Sequence, residues 1–119
     1  MATYNREQLR RRVLSRLGVL DPVQGPSPED AATVDESIQT MLEDRYAEGE
    51  IPFDVETDQI PGPYYEALSK LIAFDLAEDF GVIGERLVKL DAGDKAGRRR
   101  LKELAAPPYV GGIVKTEYF

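Results

Sequence analysis

The sequence predicts an all-α protein, a small four-helix bundle with an extended C-terminal arm, on three observations. Four segments repeat apolar residues at spacings of three and four, the mark of a helix with one buried face. Prolines gather between those segments, chiefly in residues 20–28 and 50–63, where they break helices. The final stretch, AAPPYVGGIVKTEYF, keeps neither a helical nor a strand period, because a proline pair and a glycine pair interrupt it.

The first helix is expected over residues 5 to 17. Leu9, Val13 and Leu17 recur every four residues, Leu14 widens the stripe, and Gly18 supplies the stop. Asn5 with Gln8 three residues later has the form of a capping box. Arg6, Arg10, Arg11, Arg12 and Arg16 cover the remaining surface, and the three prolines and one glycine of LDPVQGPSP then make a loop. In the second helix Ser27 is the cap, Pro28 the first helical residue, and Glu29 and Asp30 sit where the helix dipole favours acids. Its apolar face is Val34, Ile38, Met41, Leu42 and Tyr46, and it should reach about Glu48 before Gly49.

EIPFDVETDQIPGP, residues 50–63, is the long loop between helices 2 and 3. Its loose alternation allows either a short hairpin or an extended loop, and a hairpin alone would be marginal in water. Pro63 opens the third helix, from Tyr64 to about Phe80, with Tyr65, Leu68, Leu71, Ile72 and Leu76 on a broad face. It is the most apolar helix and so the expected centre of the bundle, and Gly81 ends it. The fourth runs from about Gly84 to Leu104, with Ile83, Leu87, Leu90, Leu101 and Leu104 on a stripe interrupted by Asp94 and Gly97. Gly93 and Gly97 each weaken the helix by about 1 kcal/mol relative to alanine, which predicts a close packing contact or a local break. The chain thus divides into a bundle, residues 1–104, and an arm, residues 105–119, which departs at Pro107.

Composition narrows the chemistry. With 119 residues the chain fits one domain, and 42% hydrophobic with 31% charged residues is globular usage. No cysteine means no disulfide and no thiol nucleophile, and no histidine removes the usual base near neutral pH and the commonest zinc ligand. The apolar runs are far short of the roughly 20 residues that span a bilayer. Arginines interleaved with leucines at the N terminus do not make a secretory signal. The net charge of −7 is segregated: residues 1–16 carry +4, residues 29–59 carry −10 and residues 80–104 carry +3. Such complementary fields either orient neighbouring subunits or belong to solvated helix faces.

Asp54, Glu56 and Asp58 with Gly62 suggest a calcium loop, but Gln59 and Tyr65 stand where that loop needs its glycine and bidentate acid. Asp75 sits among apolar neighbours, yet such a carboxylate is more often at a stripe edge or paired with arginine. Glu78 and Asp79 diverge on a helix rather than face one another. No catalytic role, metal or cofactor is expected. Arg98, Arg99, Arg100 and Lys102 form a basic cluster without interleaved aromatics, unlike a single-strand binder. With Arg10, Arg11 and Arg12 it is a candidate inter-subunit or DNA-facing surface. In the arm, Pro107 and Pro108 stiffen the exit, Gly111 and Gly112 allow a bend, and Tyr109, Ile113, Val114, Tyr118 and Phe119 are anchors for a partner.

Several stretches taken together resemble the head-to-tail connector, or adaptor, proteins of tailed bacteriophages, which include the tail accessory factors. They are the first helix ending in RLGVLD, the acidic DESIQTMLEDRYAEGEIPF, then GPYYEALSKLIAFDLAEDFGV, the basic KAGRRRLKEL and the arm ending in EYF. The resemblance implies a structural virion protein assembled in the host cytoplasm and located at the capsid vertex. There it would bind the portal protein as a homo-oligomeric ring, usually twelve-membered. Such a ring extends the channel for packaged double-stranded DNA, helps retain that DNA and docks the tail or nozzle protein. It assigns the arm, Pro107, Pro108, Tyr109, Ile113, Val114, Tyr118 and Phe119, to contact with the portal or a neighbouring subunit. The alternative is a small regulatory or antitoxin-like module whose basic first helix contacts nucleic acid.

Overall fold

In the computed structural model residues 2–19 and 25–106 are described, so the expected arm from Pro107 onward lies outside the described residues. Four helices dominate: α1 (Arg6–Leu17), α2 (Pro28–Ala47), α3 (Gly62–Leu76) and α4 (Gly84–Ala105), with short strands β1 (Thr3–Tyr4) and β2 (Ile60–Pro61). This is the small all-α four-helix fold that the apolar periodicity predicts.

Local chemistry sets the helix borders. Asn5 and Gln8 form both halves of the capping box, and Gly18 takes a left-handed conformation (φ 78°) at the end of α1. The Ser27 side chain accepts from the Asp30 amide at the start of α2. The helix α3 stops at Leu76 rather than near Phe80. Residues 77–81 instead form a tight turn in which the Val82 amide donates to Ala77 O (2.9 Å) and Gly81 is left-handed. That turn brings Val82 back against the core.

Of the two readings of residues 50–63, a short hairpin or an extended loop, no hairpin forms within the segment. Ile60 and Pro61 pair antiparallel with Tyr4 and Thr3, so the loop finds its strand partner at the N terminus. Proline has no amide to donate, and here it lies in a two-residue edge pair where little is lost.

The third helix is the centre of the bundle. It buries Tyr65, Ala67, Leu68, Ser69, Leu71, Ile72, Ala73 and Leu76, against Leu9, Val13, Leu14 and Leu17 of α1 and Val34, Ile38 and Leu42 of α2. Each fully buried leucine or isoleucine contributes about 1.5–3 kcal/mol relative to exposure.

Against α4 the contact is closer. A Cβ at Gly97 would lie 2.9 Å from the Ala67 carbonyl oxygen, whereas one at Gly93 would meet only the Lys70 side chain at ordinary distance. Gly97 therefore marks a backbone approach, and α4 is continuous through both glycines. The expected apolar stripe of α4 is only half used. Leu90 and Leu101 are buried, but Ile83 is 80% and Leu87 37% exposed. The reason is length: α3 ends at Leu76, and Leu87 in the first turns of α4 lines an open groove with Ala77 and Val82 of the exit turn.

Candidate functional site

The sequence places ten arginines and lysines on α1 and the second half of α4, and the fold uses them differently. Arg6, at the first position of α1, clamps the 50–59 loop. Its amide donates to Asp58 Oδ1 (2.8 Å), and its guanidinium donates to Thr57 O, Val55 O and Gln39 Oε1. Gln39 in turn donates to Glu43 and Glu56, and Asp54 Oδ1 accepts from the Glu56 amide. The acidic trio Asp54, Glu56 and Asp58 is thus bonded to the protein's own donors. Among the described residues no group of three or more acids converges as a metal site.

Arg10, Arg11 and Arg12 do not act as one cluster. Arg10 pairs with Asp35 of α2 (2.8 Å), Arg12 with Glu66 of α3 (3.2 Å), and Arg11 is exposed. Part of the acidic 29–59 surface is therefore met by its own chain, which reduces what it can offer a neighbouring copy.

Arg16 is more deeply placed. It donates to Ser69 Oγ (2.9 Å) and Glu66 Oε2 (2.8 Å), and the hydroxyl of Ser69, fully buried, donates in turn to Glu66 O (2.7 Å). Burial first, then the Arg12 charge, lower the Arg16 pKa, and Glu66 opposes both. Nearby, the Tyr65 hydroxyl donates to Gln8 O (3.0 Å) and its ring stacks on Tyr4 at 4.1 Å. Burial, followed by the Glu66 charge, raises its pKa above the ordinary phenol value.

Arg98, Arg99 and Arg100 lie far along α4. Arg98 pairs with Asp94 and Arg100 with Glu103, both within the helix, and Arg99 is exposed. What the fold brings to α1 instead is Arg86, whose guanidinium donates to Arg16 O (3.2 Å) and lies against Gly18. Arg16, Arg86 and Lys89, with Glu85 and Leu90, line an open cleft of about 440 Å³ between α1 and α4. Sequence reading missed this grouping. Its signals were the i, i+3 spacing of Arg86 and Lys89 and a helix-ending glycine that leaves α1's last carbonyls open to a donor.

The other flank of α4 is apolar with acidic edges. An open groove of about 490 Å³ is lined by Met41, Phe74, Val82 and Leu87, with Asp75, Glu78, Asp94 and Arg98 around them. Asp75 is exposed at this rim, a carboxylate at the edge of the apolar stripe. Near the start of α4, Ile83 is 80% and Val88 68% exposed. The arm anchors Tyr109, Ile113, Val114, Tyr118 and Phe119, with Pro107 and Pro108, lie outside the described residues.

Comparison of the chain with protein-family models, curated proteins and solved structures returned no match. No helix among the described residues is long and apolar enough to cross a membrane.

Proposed function

We propose that this chain is a structural virion subunit, a head-to-tail adaptor that binds the portal, closes into a ring around the DNA channel and docks the tail. The observation that carries this reading is the unsheltered start of α4. Ile83, Leu87 and Val88 are exposed together on a chain of 119 residues, whose small surface favours a partner over water at such a patch. Two of the resembling segments fall on helices, DESIQTMLEDRYAEGEIPF on the later turns of α2 and its exit and KAGRRRLKEL on the last turns of α4.

The test is capture of portal from the producing source with N-terminally tagged bait, full-length or truncated after Ala106, followed by electron microscopy. Portal-bound rings with the full-length bait alone support both the adaptor role and the arm. Rings with both baits keep the role and demote the arm, and no portal with either bait removes the reading.

A second reading, the nucleic-acid module, is favoured by the cleft that gathers Arg16, Arg86 and Lys89 beside Arg12. It requires that the isolated protein bind DNA with an affinity that falls steeply with salt, each phosphate contact steepening the slope. Salt-independent or absent binding removes it.

A further inference from the structure

The cleft between α1 and α4 concentrates positive charge on an acidic protein. Around it Arg12, Arg16, Arg86 and Lys89 are set against Glu66 and Glu85, a local surplus of two positive charges on a chain of net charge −7. Two of those cations have no acid. Neither Arg86 nor Lys89 has an ion-pair partner among the described residues. Yet Glu85 stands four residues before Lys89, the spacing at which Asp91 pairs with Lys95 on the same helix.

The two arginines of the cleft are held in place. Arg16 donates through Nε to Ser69 Oγ and through Nη2 to Glu66 Oε2, while its Nη1 has no hydrogen-bond partner among the described residues and is open to solvent. A guanidinium fixed along one edge presents the other to an anion with its side-chain entropy already lost. Arg86 donates through Nη1 to Arg16 O and lies in the space that a side chain at Gly18 would fill, since a Cβ there would be 2.7 Å from Arg86 Cζ. Lys89, one turn further along α4, adds an ammonium with rotatable donors. Burial, then the Arg12 charge, already lower the Arg16 pKa, and a bound anion relieves that crowding of cations.

We propose that this cleft is a phosphate site, in which Arg16 Nη1, Arg86 and Lys89 bind phosphoryl oxygens. Phosphoryl oxygens suit two guanidinium forks and an ammonium, and one phosphate monoester or two successive backbone phosphates match the surplus of charge. A lone carboxylate would neutralise only half of it. Glu85 shares the lining and opposes an anion, so the three cations are needed together. The phosphoryl group comes from a free phosphate compound or from a nucleic-acid backbone. Only the second source rests on the nucleic-acid reading above, and neither uses the portal reading.

The probe is inorganic pyrophosphate, titrated calorimetrically into the full-length chain at low salt, where saturable binding is expected. Arg86→Gln and Lys89→Gln, each at an exposed position, should raise the dissociation constant at least about tenfold, the loss of one charge-assisted contact. Lys89→Arg keeps the charge and should stay within about threefold of wild type. Arg99→Gln removes the same charge from an exposed position elsewhere on α4 and should also stay within about threefold. No saturable binding, or equal weakening by Lys89→Gln and Arg99→Gln, overturns the proposal. Duplex DNA, measured over a series of salt concentrations, separates the sources. Pyrophosphate binding together with DNA binding whose salt slope falls by about 0.9 in Lys89→Gln supports a site for backbone phosphates. Pyrophosphate binding without DNA binding supports a site for free phosphate compounds and removes the nucleic-acid reading. DNA binding without pyrophosphate binding overturns the site and keeps that reading.

Discussion

The two basic helices, α1 and α4, differ in what their cations do. Arg6, Arg10, Arg12 and Arg16 of α1 reach groups 25 to 54 residues away in sequence, on α2, α3 and the 50–59 loop. In α4, Lys95, Arg98 and Arg100 pair with acids three or four residues away on the same helix. Local surface pairs of that kind are worth only about 0.3–0.5 kcal/mol. Four of the five basic residues of α1 are thus part of the tertiary structure, and most of those on α4 are surface. Apolar residues follow the same division, since α1 buries its whole stripe while α4 leaves the start of its own uncovered. A helix that is fully used inside has nothing left for a partner, and a helix used only along its second half has.

Truncating the apolar stripes tests that difference most strongly. Leu9→Ala, at a fully buried position of α1, is expected to cost about 2–5 kcal/mol in denaturant unfolding. Val88→Ala on α4 should stay within about 0.5 kcal/mol of wild type. Equal costs would mean that the start of α4 is covered after all.

The arginines come next. Arg6→Ala leaves two loop carbonyls and Gln39 without their donor, and an expected loss of about 1.5–3 kcal/mol follows, against nearly none for Arg99→Ala. Hydrogen exchange should report the Arg6 effect as faster opening of residues 53–59.

The glycines of α4 sharpen the contrast within one helix. Gly97→Ala drives a methyl against the Ala67 carbonyl, and the expected loss is about 1–3 kcal/mol. Gly93→Ala has room and should stabilise by up to about 1 kcal/mol through helix propensity. Thermal melts of the two variants should shift in opposite directions.

The smallest effect is one of pH. Folded Tyr65 holds its proton to higher pH than the unfolded chain does, so its contribution is complete below the unfolded value of about 10 and is lost as pH rises through the folded value. Tyr65→Phe lacks the hydroxyl bond to Gln8 O and should be about 1 kcal/mol less stable at neutral pH. The gap between the two proteins should narrow as unfolding is measured above pH 10, and a constant gap would contradict the role of burial.

Much of the frame was legible because it depends on near neighbours. The caps at Asn5 and Ser27, the stop at Gly18, the stripe of α1 and Val34, Ile38 and Leu42 of α2 are chemistry within four residues, and the fold follows them, whereas Tyr46 at the end of the α2 stripe is 55% exposed. What was not legible depends on distant partners. Nothing near Ile60 tells that its strand partner is Tyr4, and nothing near Arg86 tells that it meets the end of α1. The stripe of α4 read correctly as helical, yet which part is buried depends on where α3 stops, and that was set by a turn at 77–81 that still looks helical in sequence. The basic clusters were legible as composition only, since Arg10, Arg11 and Arg12 diverge to three different surroundings.

The long reach of α1 also bears on the order of events during synthesis. Its capping box can close as soon as Gln8 is made, but its buried stripe needs Leu68 and Ile72, its ion pairs need Glu66, and its strand partner is Ile60. At 5 to 20 residues per second those partners arrive roughly 3 to 13 s later. During that interval a nascent helix with four leucine and valine side chains and five arginines is exposed on the ribosome, a candidate client for chaperones that bind basic, apolar segments.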